Sequence, residues 1–178
     1  GIRQGVTTEI ITPDGIGYAL LPPDEYKQVR WYNAGVLGLP PEDLDFSTVE
    51  AARRNYDGHT ACNVAMFLGH GALRMNVIGM RDAPMVGADL EHARRLLLES
   101  LEQGACGFST GLSYYPNSWG DSEELVELCK VAADFGMPFS IHTRTAYRER
   151  GFHDGGIEDA LEIGRRSGVK LHIEHYRT

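Results

Sequence analysis

The chain has 178 residues, 42% hydrophobic and 24% charged, with 17 basic against 25 acidic side chains and a formal charge of −8. That length and balance fit one soluble domain with a hydrophobic core, and the negative charge argues against a nucleic-acid groove or an anionic membrane surface. No apolar run approaches the roughly 20 residues that span a bilayer, and no basic-then-apolar leader opens the chain.

Three cysteines, Cys62, Cys106 and Cys129, are far apart and form no C-x-x-C. That pattern suits a reducing compartment, and the cytoplasm is the expected location. The first residue is Gly rather than Met, and a strand-like run begins within five residues. Both ends are therefore expected to be cut.

In chain order, "VTTEII" is rich in β-branched residues and runs into the breaker "TPDGIG". "LGLPPEDLD" is expected as a loop or cap-like excursion. Ser47 and Glu50 have capping-box spacing ahead of "VEAARRNY". "NVAMFLGHG" is a second buried run. "ADLEHARRLLLESLEQG" places Leu90, Ala93, Leu97 and Leu101 on one helical stripe ending at Gly104. "GACGFSTG" is a third strand. "DSEELVELCKVAADFG" begins with acids and ends at Gly136, as the helix dipole and the C-terminal glycine preference favour. "MPFSIHTRT" is a fourth strand, "GGIEDALEIGRRSG" a helix stopping at Gly168, and "VKLHIEH" a fifth strand. The strand runs are almost continuously apolar, as in parallel strands covered on both faces.

Strands alternating with helices predict a parallel α/β fold, either an open doubly wound sheet or a (β/α)8 barrel. No G-x-G-x-x-G and no G-x-x-x-x-G-K-[ST] is present to mark a phosphate-binding open sheet. Instead, polar groups follow one strand after another: Asp14, His70, Ser109 with Thr110, His142 and His175. A barrel builds its site in that way, at the C-terminal ends of its strands. A complete barrel needs about 250 residues, so the expected architecture is an incomplete TIM-type barrel. His172 and His175 are three positions apart. Strand alternation would send them to opposite faces.

The stretches "GVTTEIITPDG", "NVAMFLGHGALRMNVIGM", "GACGFSTGLSYYP", "IHTRT" and "ALEIGRRSGVKLHIEHYR" together resemble the N-acyl-D-amino-acid deacylases (D-aminoacylases) of the amidohydrolase superfamily. The combination of G-H-G-x-L-R, S-T-G-L-x-Y and H-x-R carries the likeness, which extends over essentially the whole chain. The resemblance implies that residues 1–178 are an internal piece of one catalytic barrel, about strands two to six. It implies a zinc-dependent hydrolase, with one ion or two, that cleaves the amide of N-acyl-D-amino acids. The remaining strands of the barrel would be its structural partner. A strand-one His-x-His and a late catalytic aspartate would lie outside the chain; the general base is not visible within it, and the piece is expected to be inactive by itself.

Within the chain the resemblance makes His142 and His175 metal ligands and His172 a packing residue. Tyr114 would face substrate, with Tyr115 as its competitor. Two departures stand out. Asp14 occupies the turn position where the family pattern has a metal-binding cysteine, making it a third or bridging ligand, although "PDG" is also an ordinary turn. Arg177 stands where the family usually has lysine, and its planar fork suits a substrate carboxylate.

Arg144 is either a carboxylate clamp or a structural ion pair. His70, between glycines, reads as a ring hydrogen-bonded to neighbouring turns, and Cys106 as a small core residue. The alternatives to deacylation are another amidohydrolase reaction, on a cyclic amide or dipeptide, and a non-catalytic barrel module.

Overall fold

The computed structural model describes residues 1–176. Among these, six strands, all paired in parallel, form the scaffold: β1 (Thr8–Ile11), β2 (Asn63–Met66), β3 (Leu68–Gly69), β4 (Phe108–Gly111), β5 (Pro138–His142) and β6 (Lys170–Ile173). They lie in a two-stranded sheet, β1–β2, and a four-stranded sheet, β3–β4–β5–β6. Only Phe67 separates β2 from β3, and its N–H bonds to the Ile11 carbonyl while Leu68 N–H bonds to that of Gly107. The run 63–69 thus pairs with β1 through its first half and with β4 through its second. The order amounts to five successive strand positions, matching the five runs read from the sequence. The two outermost strands, β1 and β6, are the least buried, and Ile10 on β1 is 58% exposed.

Among the described residues, seven α-helices connect these strands: α1 (Pro23–Tyr32), α2 (Ala34–Leu37), α3 (Val49–Arg54), α4 (His70–Ile78), α5 (Gly87–Glu102), α6 (Ser122–Asp134) and α7 (Gly156–Ser167). The expected helices correspond to α3, α5, α6 and α7, whereas α1, α2 and α4 were not anticipated. At α3 the cap sits one residue later than the Ser47–Glu50 box implied. Thr48 accepts from Ala51 N–H, while Ser47 N–H bonds to Asp45. Asp121 caps α6 by accepting from Glu124 N–H at 2.8 Å, an interaction of about 1 kcal/mol. On α5, Ala93, Leu97 and Leu101 face the core, and Leu90 packs partly buried against it.

The "LGLPPEDLD" excursion folds back on α1. Tyr26 donates to the Pro41 carbonyl and Arg30 pairs with Glu42.

Strand register decides which face carries chemistry. Phe108, Phe139 and Leu171 are register partners, and the two phenylalanine rings stack at 5.5 Å. With Ile141 they join the core under α5, α6 and α7. Ser109, Ser140 and His172 form the alternating row on the opposite face, and Gly111 partners His142 on that same face. Among the described residues, no helix is long and apolar enough to cross a membrane.

Candidate metal centre

After Ile11 the chain turns sharply through two non-glycine residues with left-handed backbone, Thr12 (φ 65°) and Asp14 (φ 56°), and then Gly15 (φ 64°). Such conformations are rare outside glycine and persist only where neighbours enforce them. Here three elements do so. Ser109 of β4 donates to the Thr12 carbonyl at 2.6 Å. Asn117, in the loop after β4, donates to the Asp14 carbonyl at 3.1 Å. Glu174, beyond β6, accepts from Asp14 N–H at 2.8 Å. A Cβ on Gly15 would lie 2.7 Å from Thr110 Cα and 3.0 Å from the Ser109 carbonyl oxygen, so the turn can pack this closely only with glycine there.

This turn presents the Asp14 carboxylate to two imidazoles. Its Oδ1 is 3.4 Å from His142 Nδ1, and its Oδ2 is 3.3 Å from His175 Nε2. One ligand atom from each of the three residues fits within a mutual spacing of 4.8 Å. The rings of His142 and His175 meet edge to face at 5.3 Å, and the Tyr114 ring packs on His142 at 5.2 Å.

His172, expected to pack on the far face, lies in the Ser140 row on the site's side, exposed, with Nδ1 2.8 Å from Ser140 Oγ. Glu174 N–H continues the ladder to the Ile141 carbonyl. His175 then takes φ 46°. That left-handed residue carries its ring back to the face that strand alternation would have denied it.

The electrostatics of the site divide two carboxyls. Burial pushes Glu174 up, reinforced by its side-chain hydrogen bond with Asp14, to about 7. Burial would raise Asp14 too, but hydrogen bonds from Glu174 and His175 and the nearby imidazoles hold it below its usual value. Asp14 is thus the group that keeps the negative charge. Asp14 Oδ1 and His142 Nδ1 are both buried, and among the described residues neither has a hydrogen-bond partner. Buried polar atoms without partners are costly in an apoprotein. Donor separations of 3.3 and 3.4 Å match the edge of a tetrahedron of ligands about 2.1 Å from a zinc ion. A carboxylate and two imidazoles are also a donor set that zinc accepts. The residues fit a divalent metal.

Arg144 is not brought to the trio. It is 1% exposed, donates to the carbonyls of Ser118 and Gly120, and pairs with buried Asp159. Of the two readings raised from sequence, these contacts are those of the structural ion pair. Arg177 lies outside the described residues. His70 is fully buried between Thr110 Oγ1 (2.9 Å) and Glu124 Oε1 (2.7 Å), and Glu124 also binds Arg74. Tyr115 is 44% exposed and stacks with Trp119 rather than with the trio.

Sequence reasoning gave no role to Glu174 or Asn117. The one available signal was an acid on an apolar strand, two residues after His172 and therefore on the same face.

A parallel α/β scaffold holds a carboxylate and two imidazoles at its strand ends, a donor set that a divalent metal accepts. No family model matches the chain. It is 32% identical over 180 residues to the N-acyl-D-glutamate deacylase of Alcaligenes xylosoxydans xylosoxydans, an alignment covering 98% of this chain and 34% of that protein. The N-acyl-D-aspartate deacylase of the same organism is also 32% identical over 180 residues, covering 99% of this chain and 34% of the relative. The chain therefore belongs to the N-acyl-D-amino-acid deacylase (D-aminoacylase) family, and it spans about a third of the length of these curated relatives.

Among solved structures, the N-acyl-D-glutamate deacylase of Bordetella bronchiseptica superposes with a TM-score of 0.72 at 28% identity, over 96% of this chain and 34% of that one. That enzyme was crystallised with zinc and a phosphonate mimic of the reaction's tetrahedral intermediate. A D-aminoacylase described as defining a novel subset of amidohydrolases shares the fold, with a TM-score of 0.74 at 24% identity over 97% of this chain and 35% of its own. Another D-aminoacylase structure, with a TM-score of 0.71 at 24% identity over 97% of this chain and 35% of its own, concerns a binuclear metal centre.

Proposed function

We propose that residues 1–178 are one internal part of a single TIM-type catalytic barrel, in a zinc-dependent amidohydrolase that cleaves the amide bond of N-acyl-D-amino acids. The observation that carries this reading is the convergence of Asp14, His142 and His175 at the ends of three parallel strand positions. Five strand positions in chain order, within relatives about three times as long, support the barrel. The remaining strands of the same protein are its partner.

Asp14, His142 and His175 hold the metal. Each carboxylate oxygen of Asp14 faces a different imidazole, which suits either a single ion or a bridged pair. A zinc ion bound there supplies Lewis acidity, polarising an amide carbonyl and acidifying water. Tyr114, packed on His142, lines the substrate side. Arg177 is assigned to the substrate carboxylate, which a guanidinium binds as a fork. Arg144 acts indirectly, by holding the loop around Ser118 and Gly120 that leads into α6. The general base comes from outside this chain.

The test is amino-acid release by the full-length protein from N-acetyl-D-glutamate, N-acetyl-D-aspartate, N-acetyl-D-methionine and their L counterparts. D-selective hydrolysis that a chelator abolishes and zinc restores is expected. Asp14 at the family's cysteine position favours one competing reading, a different amidohydrolase reaction. Turnover of cyclic amides or dipeptides, with none of N-acyl-D-amino acids, would establish that alternative instead.

A further inference from the structure

We propose that Glu174 is a positioning residue that sets the metal affinity of this centre by clamping the Asp14 turn to β5 and β6. The inference rests on the metal-site reading above and assigns a role that the likeness to known deacylases did not supply.

Glu174 is 8% exposed, and each of its carboxyl oxygens is engaged. Oε2 accepts from Asp14 N–H at 2.8 Å, and Oε1 accepts from the Ser140 hydroxyl. Ser140 Oγ also lies 2.8 Å from His172 Nδ1. His172, Ser140 and Glu174 thus form one hydrogen-bonded row, and the other Glu174 oxygen takes the Asp14 N–H. The row ties three strand positions together at one carboxyl group.

The clamp matters because Asp14 sits in a conformation it would not choose. Its φ of 56° is held by bonds to its own peptide groups, and Glu174 takes the only backbone donor this residue has. Release of that N–H lets the turn relax towards right-handed backbone, and the carboxylate then loses its simultaneous alignment on His142 and His175. Glu174 does not belong to the trio whose ligand atoms share a site. It acts through Asp14, as the outer partners of metal ligands commonly do.

The measurement is Co2+ affinity and the visible absorption of bound Co2+ in the demetallated full-length protein, with thermal midpoints recorded in parallel. Glu174→Ala should weaken Co2+ binding by about 10–100-fold and change the absorption spectrum. Glu174→Gln should stay within about threefold of the parent with an unchanged spectrum, because its amide can accept from Asp14 N–H and donate to Ser140. Ser140→Ala, which removes one arm only, should fall between them and serves if Glu174→Ala does not fold.

Parental affinity in both Glu174→Ala and Ser140→Ala, or in Ser140→Ala alone where the former fails to fold, overturns the proposal. A loss in Glu174→Gln as large as in Glu174→Ala also overturns it, making Glu174 a direct ligand. A parent protein that binds neither Co2+ nor zinc sinks the metal site itself, and the clamp with it.

Discussion

Gly15 and Asn117 approach so closely that a Cβ on Gly15 would stand 2.6 Å from the Asn117 amide nitrogen, the atom that donates to the Asp14 carbonyl. The glycine and the amide together keep the turn pressed against β4. Gly15→Ala should therefore cost about 2 kcal/mol or more, from left-handed strain together with overpacking. It should also lower zinc content, because the displaced turn carries Asp14. Urea midpoints and elemental analysis of the full-length variant check both effects. A stable variant with full zinc would show that the turn has slack.

Substitutions at Asp14 separate ligand from turn residue. Asp14→Ala should lose zinc and activity together. Asp14→Cys should retain zinc, since it restores the thiolate of the family pattern. Asp14→Asn is the sharper comparison, because Asn tolerates φ near 56° and still accepts turn hydrogen bonds, yet lacks the charge that balances a cation. Asn should therefore keep the fold and lose the metal. Full zinc and full activity in Asp14→Asn would reduce Asp14 to a turn residue.

The His70–Glu124–Arg74 cluster predicts acid sensitivity. All three side chains are 0% exposed. Glu124 accepts from Arg74 and from Met85 N–H as well. A carboxylate can only accept, so His70 donates through Nε2, and in the neutral ring Nδ1 then receives the Thr110 hydroxyl. Burial, outweighing the pull of Glu124, holds His70 below its ordinary 6.5. Glu124 is held below its ordinary 4.5: burial would raise it, but His70 and Arg74 more than offset that.

Both folded-state values are depressed, so both contributions are present above the unfolded values and are lost as pH falls. The His70 share should fade first, below about pH 6.5. Denaturant midpoints measured down through that range should drop in the parent and flatten in His70→Gln. Glu124→Gln should cost about 3–5 kcal/mol, since it leaves Arg74 buried without its counter-charge. Midpoints that are pH-independent would contradict the neutral ring.

Arg144 and Asp159 should behave as structure. Asp159 also accepts from Ser122 and from Phe152 N–H, so its carboxylate joins α6, α7 and the loop after β5. Arg144→Lys cannot reproduce a guanidinium that reaches two carbonyls and a carboxylate at once. It should lower the thermal midpoint while leaving KM within about threefold, where a lost substrate clamp would raise KM at least tenfold. A large KM increase with an unchanged midpoint would return Arg144 to the substrate.

What could be read along the chain was what local chemistry specifies. The five strand runs and helices α3, α5, α6 and α7 follow from hydrophobic period, and Gly136 and Gly168 end α6 and α7 because helix termination is a property of a few adjacent residues. Asp14, His142 and His175 follow apolar strand runs, as His70, Ser109 and Thr110 also do, and the resemblance to the deacylases singled the trio out from that set. Their faces could not be read that way.

Strand parity alone puts His172 on the site face with Ser140 and sends His175 away. It is the φ of 46° at His175 that reverses this. That angle is favourable only when tertiary neighbours hold it, so no periodicity in "VKLHIEH" encodes it. The same holds for Glu174, whose hydrogen-bond partner Asp14 is 160 residues away, and for Arg144, whose carbonyl partners belong to the loop after β4. Period and capping are written in neighbouring residues. The meeting of groups distant along the chain is decided by how strands register and turns are pinned, and only the folded chain supplies that.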